Sequence, residues 1–395
     1  MQRIGKNSIR DDIKIEGVDC IFIYKNQDME ENTMLLYISG SFPESQEGIA
    51  AAAKVLLDAM LEFVDKEKII LLTTDSPIIS ESISSNTVVE YRQLQNWKVT
   101  ASNIKKIYSI LDEYPITAIH MDYPGDLYGK TFLASFLPCL IKRYNRKKKK
   151  QISFNVRLHE FTRARFLRKI AIVPIIWFAD KIYVPAIRDR KAVSILGGAK
   201  VLPTAIGANI EVVSDELIIS EKKTISYFGS VYPGKGIERM LQLWKRIKEG
   251  DSEGKFNFKI IGDIGTEADN HFRDYHIQVW KWIEQYGLKD CIEVTGYISD
   301  EDVSKEIQKT AIATLPFEDG LTLRRGSFLA YLAHGIPVVT TEGDEEAVNL
   351  FDGHKGIAMT KNDDEFIEHI IKFSQLTSDE LLEIHLDSKR LSEFF

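Results

Sequence analysis

The sequence of 395 residues has little of what marks a secreted, zinc-binding or membrane-spanning protein. Its three cysteines, Cys20, Cys139 and Cys291, are too few and too scattered for a disulfide framework or a zinc site, so we expect reduced cytosolic thiols. The longest apolar run, residues 170–179, is about half the length that a membrane span needs. No charged start followed by an apolar core is present, so we expect no secretory signal.

The composition is that of a folded protein with two cores, because 44% of the residues are apolar and 28% are charged. The net charge of −7 is divided unevenly. Residues 1–205 hold 30 basic and 23 acidic side chains, whereas residues 206–395 hold 21 and 35. The basic excess is concentrated in residues 101–205, with 20 against 7. Such a basic face can meet nucleic acid, an anionic membrane or an acidic ligand.

Short apolar strands alternate with helical stretches along most of the chain. Strands are predicted over residues 34–39, 68–74, 118–121, 152–158 and 182–185, and again over 225–229, 256–262, 292–296, 311–316 and 337–341. This alternation predicts two doubly wound parallel sheets, whose ligands lie beyond the carboxyl ends of the strands. We predict an N-terminal extension (1–33), a first Rossmann-like domain (34–208), a second one (209–375) and a C-terminal helix (376–395) that returns to the first domain.

A glycine-rich loop, GSVYPGKG, joins a predicted strand to a predicted helix over residues 229–236. Its glycines would let the backbone approach a phosphate, the following helix offers free N–H groups, and Lys235 adds a positive charge. The loop lacks the GK[ST] of a Walker motif and the G-x-G-x-x-G spacing. By itself it is therefore also compatible with an ordinary glycine turn.

The stretch from residue 316 to residue 341, PFEDGLTLRRGSFLAYLAHGIPVVTT, reads as strand, loop, helix, turn and strand. Its helix is predicted to begin at four residues, Arg324, Arg325, Gly326 and Ser327. Two guanidinium groups beside a helix N-terminus favour anion binding, because arginine binds phosphate in a bidentate fork. The carboxylates of Glu318 and Asp319 could accept hydrogen bonds from sugar hydroxyls. The alternative is a solvated charged loop.

This stretch resembles the nucleotide-sugar region of family 4 glycosyltransferases. Residues 319–327 and 333–341 match two motifs of one branch of that family, D-G-x-[ST]-x-R-R-G-[ST] and A-H-G-x-P-V-V-T-T. Other segments agree in the same order: SGSFPESQEGIAAAAKVL, RLHEFTRARFLRK, AIGANI, YFGSVYPGKGIERML and VTGYISDEDVSKEI. The resemblance spans residues 34–395. It implies an α/β, GT-B architecture of two Rossmann-like doubly wound domains with an interdomain cleft.

The resemblance also implies roles for individual residues. The donor diphosphate would be bound by Gly229, Ser230, Lys235, Arg324, Arg325, Gly326 and Ser327, through the backbone N–H groups at 229–230 and 326–327 among others. The donor sugar and base would lie near Thr322, Gly296 and Tyr297. His159 matches the histidine that the family places near the reacting bond, and the acceptor side would include Gly48, Glu160 and Arg163.

The sequence departs from the family at the paired glutamates. Most family 4 enzymes carry two Glu separated by seven residues, and here those positions are Thr322 and Ala330. Asp319 or Glu318 could substitute for the first, so we place both with His159 in the catalytic group. The alternative for His159 is a capping or core histidine. His334 belongs to the second motif, where we expect it to pack at a helix end.

A run of basic residues precedes an apolar stretch in the first half of the chain. The run comprises Lys142, Arg143, Arg146, Lys147, Lys148, Lys149 and Lys150, and a second group, Arg163, Arg165, Arg168 and Lys169, leads into IAIVPIIWF. Basic residues beside apolar ones suit an anionic membrane surface. The alternative is a solvated loop and a core helix. Nucleic acid is not expected, because no aromatic residues are interleaved with the charges.

No metal or other cofactor is expected. Residues 300–302 (Asp-Glu-Asp) have the D-x-D spacing of metal-dependent transferases, but they stand at a predicted helix start, where acidic residues cap free N–H groups. The resemblance implies a retaining hexosyltransferase that moves a sugar from a nucleotide-diphosphate sugar to a glycan, and we expect that glycan to be a lipid-linked intermediate of cell-surface polysaccharide. Its expected location is cytoplasmic, with or without peripheral contact to the inner face of the plasma membrane.

Two alternatives stay open. One is a non-catalytic GT-B subunit that binds a partner transferase or a glycan, which the missing glutamate pair motivates. The other is a different GT-B enzyme, such as an epimerase or a phosphorylase.

Overall fold

The computed structural model describes residues 34–40, 56–57, 60–61, 65–74, 90–124, 128–162, 164–204, 206–208, 210–214, 223–265 and 272–393. The chain divides into two units, residues 1–205 and residues 206–395. This division lies close to the predicted boundary after residue 208. The predicted N-terminal extension lies outside the described residues.

The first unit is built on a seven-stranded parallel sheet with the strand order β3-β2-β1-β4-β5-β6-β7. Its strands are β1 (Met34–Ser39), β2 (Ile69–Thr74), β3 (Glu90–Leu94), β4 (Ile116–Tyr123), β5 (Ser153–Leu158), β6 (Lys181–Val184) and β7 (Val201–Pro203). The helices bounded by the structure are α1 (Ala101–Glu113), α2 (Leu133–Lys148), α3 (Phe166–Phe178) and α4 (Ile187–Gly197).

The apolar character of β1 follows from burial on both faces of this sheet. Leu36 and Ile38 pack into one hydrophobic cluster, and Leu35 and Tyr37 pack into another on the opposite face. Successive side chains of a strand point to opposite faces, so a strand with both faces covered is apolar throughout. The second cluster also includes Leu56, Leu57 and Met60.

The second unit is built on a six-stranded parallel sheet with the order β10-β9-β8-β11-β12-β13. Its strands are β8 (Lys223–Phe228), β9 (Phe256–Ile261), β10 (Ile292–Val294), β11 (Ile312–Leu315), β12 (Val338–Thr341) and β13 (Ile357–Thr360). The bounded helices are α5 (Ile237–Gly250), α6 (Arg273–Gln285), α7 (Asp300–Gln308), α8 (Gly326–Ala333), α9 (Glu345–Phe351), α10 (Asp363–Ser374) and α11 (Ser378–Ser392).

The predicted strands are all present, and three further strands were not predicted. These are β3, β7 and β13, and each lies at an edge of its sheet. The sequence of β3, EYRQL, is polar because four of its five residues stay partly exposed. The strand β7 is only three residues long. The polar β3 and the short β7 carry little of the apolar pattern on which the prediction depends, whereas β13, IAMT, is apolar and mostly buried.

The predicted C-terminal helix is α11, which packs against α8 inside the second unit. Its residue Leu391 belongs to the hydrophobic cluster of that unit. The contact of this helix with the first unit stays a prediction. Among the described helices, none combines the length and the apolar character that crossing a membrane requires.

Candidate functional site

The backbone comes into close contact at the carboxyl ends of the three central strands of the second unit. Gly229, directly after β8, has φ +134°, and a Cβ added there would lie 3.7 Å from the Cβ of Ser327 at the start of α8. A Cβ added at Gly262, after β9, would lie 2.9 Å from the carbonyl oxygen of Gly229. At Gly236, where α5 begins, a Cβ would overlap the carbonyl oxygen of Pro316, after β11. At Gly236 and Gly262, glycine is thus required for the close approach of other backbone, and binding of a phosphate by this loop stays a prediction.

Two buried side chains form hydrogen bonds with carbonyl groups of the loop 229–236. The hydroxyl of Tyr227 donates to the carbonyl of Ser230 at 3.2 Å. The ring nitrogen Nε2 of His276, on α6, lies 3.0 Å from the carbonyl of Val231. His276 is buried, and its imidazole packs against Gly265. His276 therefore positions the loop, a role that its sequence context did not indicate.

Two of the four backbone N–H groups expected to bind the diphosphate are used within the fold. The N–H of Gly229 donates to the carbonyl of Ile261 at 3.2 Å, and that of Gly326 to the carbonyl of Arg324 at 3.1 Å. The N–H groups of Ser230 and Ser327 have no acceptor among the described residues. No side chain caps the N-terminus of α8. In each turn, the N–H group without an acceptor thus belongs to the residue after the glycine, which is Ser230 or Ser327.

The predicted carboxylate and arginine of the loop 318–327 are in contact with each other. The guanidinium of Arg325 forms an ion pair with Asp319, and its Cζ stands 4.3 Å from the centre of the Phe317 ring. The same guanidinium lies 3.5 Å from the carbonyl oxygen of Gly320. Asp319 and the ring of Phe317 therefore fix the position of Arg325 before any ligand arrives.

Three other predicted residues of this region have different surroundings. The ammonium of Lys235 lies 4.8 Å from the centre of the Tyr232 ring, and no described carboxylate pairs with it. The hydroxyl of Thr322 is buried and has no hydrogen-bond partner among the described residues. Glu318 is exposed. Burial, together with the carboxylates of Glu318 and Glu238, raises the pKa of Tyr275 to about 12.

The turn with Gly296 and Tyr297 is linked to this region through β9. The hydroxyl of Thr295 accepts a hydrogen bond from the N–H of Gly262 at 3.0 Å and donates to the carbonyl of Gly296 at 2.9 Å. Tyr297 is largely exposed. The predicted base-side residues therefore stand at the same edge of the sheet as the glycine loop.

In the first unit, the predicted histidine belongs to a buried charged cluster. The carboxylate of Asp122, at the end of β4, accepts a hydrogen bond from Nε of Arg157 at 2.6 Å. The same carboxylate oxygen lies 2.8 Å from Nε2 of His159, which follows β5. Asp122 is fully buried, and Arg157 and His159 are nearly so. Because the carboxylate is an acceptor, this contact favours the proton on Nε2 of His159.

The charges of this cluster control the protonation of their neighbours. Burial alone would raise the pKa of Asp122, but the charges of Arg157 and His159 hold it well below its ordinary range. Asp122 is therefore an ionised carboxylate inside the protein. Burial, with the charge of Arg157, lowers the pKa of His120 to about 3, so His120 is neutral.

The segment that follows His159 is held by Asp189, on α4. The carboxylate oxygen Oδ1 of Asp189 accepts hydrogen bonds from the N–H groups of Phe161 at 3.2 Å and Thr162 at 2.6 Å. It also accepts one from the hydroxyl of Thr162 at 2.6 Å. Of the predicted acceptor-side residues, Glu160 is exposed, and Gly48 and Arg163 lie outside the described residues.

The acidic residues at positions 300–302 form the first turn of α7. Ser299 caps this helix by accepting from the N–H of Asp302, and Lys305 pairs with Glu301 at 2.7 Å. This arrangement agrees with the capping interpretation. Throughout the described part of the chain, no three His, Cys, Asp or Glu side chains are grouped so that they could hold a metal ion.

His334 ends α8 and is buried. Its Nδ1 lies 2.7 Å from the carbonyl of Ala330, and its Nε2 lies 2.8 Å from the hydroxyl of Ser304. Burial lowers its pKa. His334 thus packs at a helix end, as expected, and Ala330, one of the two positions where the sequence departs from the paired glutamates, lies in the core.

The comparisons with known proteins agree with this architecture. Residues 222–375 match the sequence profile of the family described as glycosyl transferases group 1. No curated protein sequence matches the chain.

Solved structures of glycosyltransferases share the fold of the whole chain. A glycosyltransferase from Rickettsia africae superposes with a TM-score of 0.68 at 14% identity, covering 92% of this chain and 94% of the other. Anabaena Alr3699/HepE, solved with UDP and glucose, gives 0.61 at 13% identity, with 91% and 94% covered. The lipopolysaccharide outer core galactosyltransferase WaaB gives 0.61 at 12% identity, with 91% and 95% covered. The chain thus has the GT-B fold, and its residues 222–375 are similar to the glycosyl transferases group 1 family.

Proposed function

We propose that the protein is a retaining hexosyltransferase that moves a sugar from a nucleotide-diphosphate sugar to a glycan acceptor. The observation that carries the proposal is the meeting of two strand-to-helix turns in the second unit. There the open N–H donors of Ser230 and Ser327 belong to turns that lie close together, since a Cβ added at Gly229 would stand 3.7 Å from the Cβ of Ser327. Backbone N–H groups at such turns and helix N-termini bind phosphate.

The cationic side chains of the same region suit the leaving group of this reaction. When the bond to the sugar breaks, negative charge develops on the terminal phosphate of the nucleoside diphosphate. Preorganised donors and cations stabilise such charge without reorganising during the reaction. We assign this task to Lys235, Arg324 and Arg325, with Arg325 held in place by Asp319. In this proposal no metal ion is needed for the leaving group.

The donor sugar would be held by the loop 318–327, where Thr322 stands in place of the usual glutamate. The buried hydroxyl of Thr322 and the carboxylates of Asp319 and Glu318 are the polar groups available for sugar hydroxyls. The turn of Gly296 and Tyr297 would lie beside the base.

On the first unit, we propose that His159 acts close to the reacting bond. Its imidazole is fixed in position by the ionised carboxylate of Asp122, which Arg157 holds in turn. Asp122 and Arg157 are positioning residues in this proposal, because they act through His159. Glu160 would face the acceptor, and Gly48 and Arg163 keep the acceptor-side role that the resemblance implies.

The acceptor that we propose is a glycan of a cell-surface polysaccharide, carried on a lipid. Among the structural neighbours, one is a lipopolysaccharide galactosyltransferase and another was solved with UDP and glucose. The enzyme would then work in the cytoplasm, with peripheral contact to the inner face of the plasma membrane through basic residues of the first unit.

A thermal-shift screen with UDP, GDP, ADP, CMP and dTDP sugars tests the donor site. A ligand at a hundredfold excess over its Kd stabilises the native state by about 2.7 kcal/mol. We expect one nucleotide class to raise the Tm, and Arg325→Ala to abolish the shift. Arg246→Ala is the matched control, because Arg246 also forms an ion pair, with Asp364, but away from these turns. Equal shifts in both variants would contradict the proposed role of Arg325.

The second candidate function is a non-catalytic subunit that binds a glycan or a partner transferase. The specific observation in its favour is the pair Thr322 and Ala330, which replaces the two glutamates of most relatives. A protein of this kind would give no Tm shift with any nucleotide sugar, or would bind one without releasing the nucleoside diphosphate.

A further inference from the structure

The helix α3 has apolar side chains on two opposite faces. Its inner face, with Ile172, Ile175 and Ile176, is buried in the core of the first unit. On the outer face, Phe166 is 75% exposed, Ile170 53% and Trp177 60%. These three residues follow a spacing of four and seven, so they form one stripe of about 16 Å along the helix.

Exposed large apolar residues continue beyond this stripe. Leu167 is exposed beside it on α3, and Ile195 on α4, which packs against α3. On α2, which also packs against α3, Phe136 is exposed, and so is Phe132, the residue before this helix. Large exposed apolar side chains grouped along one helix face are typical of an interaction site. We call the exposed residues Phe166, Leu167, Ile170 and Trp177 the α3 stripe.

The segment that carries the α3 stripe is strongly basic. Residues 130–180 contain thirteen Lys and Arg side chains and two acidic ones, Glu160 and Asp180. Arg165 and Lys169 stand at the start of α3 itself. On the outer side of α2, the exposed Arg143, Arg146 and Lys147 have no carboxylate partner among the described residues.

Only part of the basic run predicted from the sequence is available for such a surface. Lys142 pairs with Asp180 at 3.4 Å and Lys148 with Asp112 at 2.8 Å. Lys150 donates to the carbonyl of Leu111 at 2.6 Å. These three lysines already have partners within the first unit. The basic residues of the run that remain for a membrane surface are Arg143, Arg146, Lys147 and Lys149.

We infer that the α3 stripe is a membrane-docking surface, on which α3 lies flat in the headgroup region of an anionic bilayer. The inference deepens the membrane part of the proposed function. An apolar stripe flanked by arginine and lysine is the pattern of interfacial helices, in which apolar side chains enter the lipid and cations meet its headgroups. A second copy of this chain fits less well, because both surfaces would carry the same charge.

The position of α3 in the chain connects the membrane to the proposed catalytic region. Six residues separate His159 from Phe166, the first residue of the helix. The middle of this connection is fixed by the hydrogen bonds of Asp189 to Phe161 and Thr162. Docking of α3 would therefore bring the end of β5 to the bilayer, where the head of a lipid-linked acceptor is found.

Vesicle flotation of the full chain tests this inference. Vesicles of phosphatidylcholine with phosphatidylglycerol serve as the anionic membrane, and vesicles of phosphatidylcholine alone as the neutral one. We expect binding to the anionic vesicles that weakens as salt is added. In an Ile170→Ser, Trp177→Ser variant we expect affinity to fall at least about tenfold, because two large apolar side chains no longer enter the lipid.

The matched control is the Leu382→Ser, Leu386→Ser variant, which removes two half-exposed apolar side chains from α11 of the second unit. It should bind the vesicles like the unmodified chain. Circular dichroism and the Tm of both variants establish that they fold. A blue shift of tryptophan fluorescence on vesicle binding, absent in Trp177→Phe, would place that side chain in the lipid.

Three results would overturn the inference. These are an unmodified chain that binds neither kind of vesicle, a folded α3 variant that binds like the control, and sedimentation that shows an α3-dependent dimer without vesicle binding. Because vesicle binding is measured without a donor, its failure leaves the donor-site test intact. Failure of the thermal-shift screen would likewise leave a positive flotation result standing.

Discussion

Replacing Gly236 by alanine tests whether close packing between the start of α5 and the end of β11 shapes the donor site. The added Cβ would overlap the carbonyl oxygen of Pro316 and stand 2.9 Å from its carbonyl carbon. Both belong to the backbone, so the start of α5 or the end of β11 must shift. Gly236 also has φ +74°, a conformation that costs an alanine about 1–2 kcal/mol.

The matched control is Gly287→Ala. Gly287 has φ +67°, so it carries the same backbone cost, but a Cβ there meets no atom within 4 Å. The overlap at Gly236 should add about 1–3 kcal/mol of strain. For a unit of this size, that difference corresponds to a Tm lower by roughly 2–12 °C in Gly236→Ala than in Gly287→Ala.

Thermal unfolding and calorimetric titration with the nucleotide sugar found in the screen measure both consequences. Movement of α5 displaces the loop 229–236, so we expect Gly236→Ala to bind the donor at least about tenfold more weakly, a loss of about 1.4 kcal/mol. The Gly287→Ala variant should bind it normally. Equal Tm values and equal affinities in the two variants would refute the reasoning.

Three further predictions concern the first unit. Because burial lowers the pKa of His120 to about 3, folding is favoured above the unfolded value of about 6.5, and the advantage is lost as the pH falls from there towards 3. Between about pH 7.5 and about pH 5, the free energy of unfolding should therefore fall by about 2 kcal/mol less in His120→Gln than in the unmodified chain. Hydrogen exchange of the β4 amides measures this difference. Arg157→Leu leaves the buried carboxylate of Asp122 without its cation and should cost about 3–5 kcal/mol in urea unfolding, most of which Asp122→Asn in the same chain should restore. Asp189→Ala should speed amide exchange in the peptide with Phe161 and Thr162 and slow transfer while donor affinity stays unchanged, and a loss of donor affinity would contradict its assignment to the acceptor-side unit.

Most of the fold was predictable from the sequence because parallel strands buried on both faces are short apolar runs. The strand β1, MLLYIS, and the strand β9, FNFKII, ended within a residue of their predicted bounds. The edge strand β3 escaped prediction, because four of its five residues stay partly exposed and need no apolar side chain.

The site was predictable where a local pattern carries the chemistry. The glycines at 229 and 236 and the helix start at 326 indicated close backbone approach, and the structure has it. The pattern did not show which backbone N–H groups lack an acceptor. Those of Gly229 and Gly326 are bonded to the carbonyls of Ile261 and Arg324, and the bond from Gly229 to Ile261 joins distant parts of the chain.

The positioning residues could not be predicted, because their partners are distant in sequence. Asp122 and Arg157 stand 35 residues apart and meet only through the pairing of β4 with β5. The one signal was a charged residue near the end of each of two apolar strands, HMDY and NVRL. Likewise, nothing near His276 in the sequence indicates its contact with Val231.

Transfer of label from a nucleotide sugar to an acceptor tests the central claim most directly. The unmodified chain is incubated with the radiolabelled sugar nucleotide that it binds and with a lipid extract as acceptor, and lipid-bound label and free nucleoside diphosphate are measured together. The account predicts equal amounts of both products, strongly reduced in Arg325→Ala and in His159→Ala and unchanged in Arg246→Ala. Donor binding without release of the nucleoside diphosphate and without transfer of label, in a folded protein, would contradict it and favour the non-catalytic subunit.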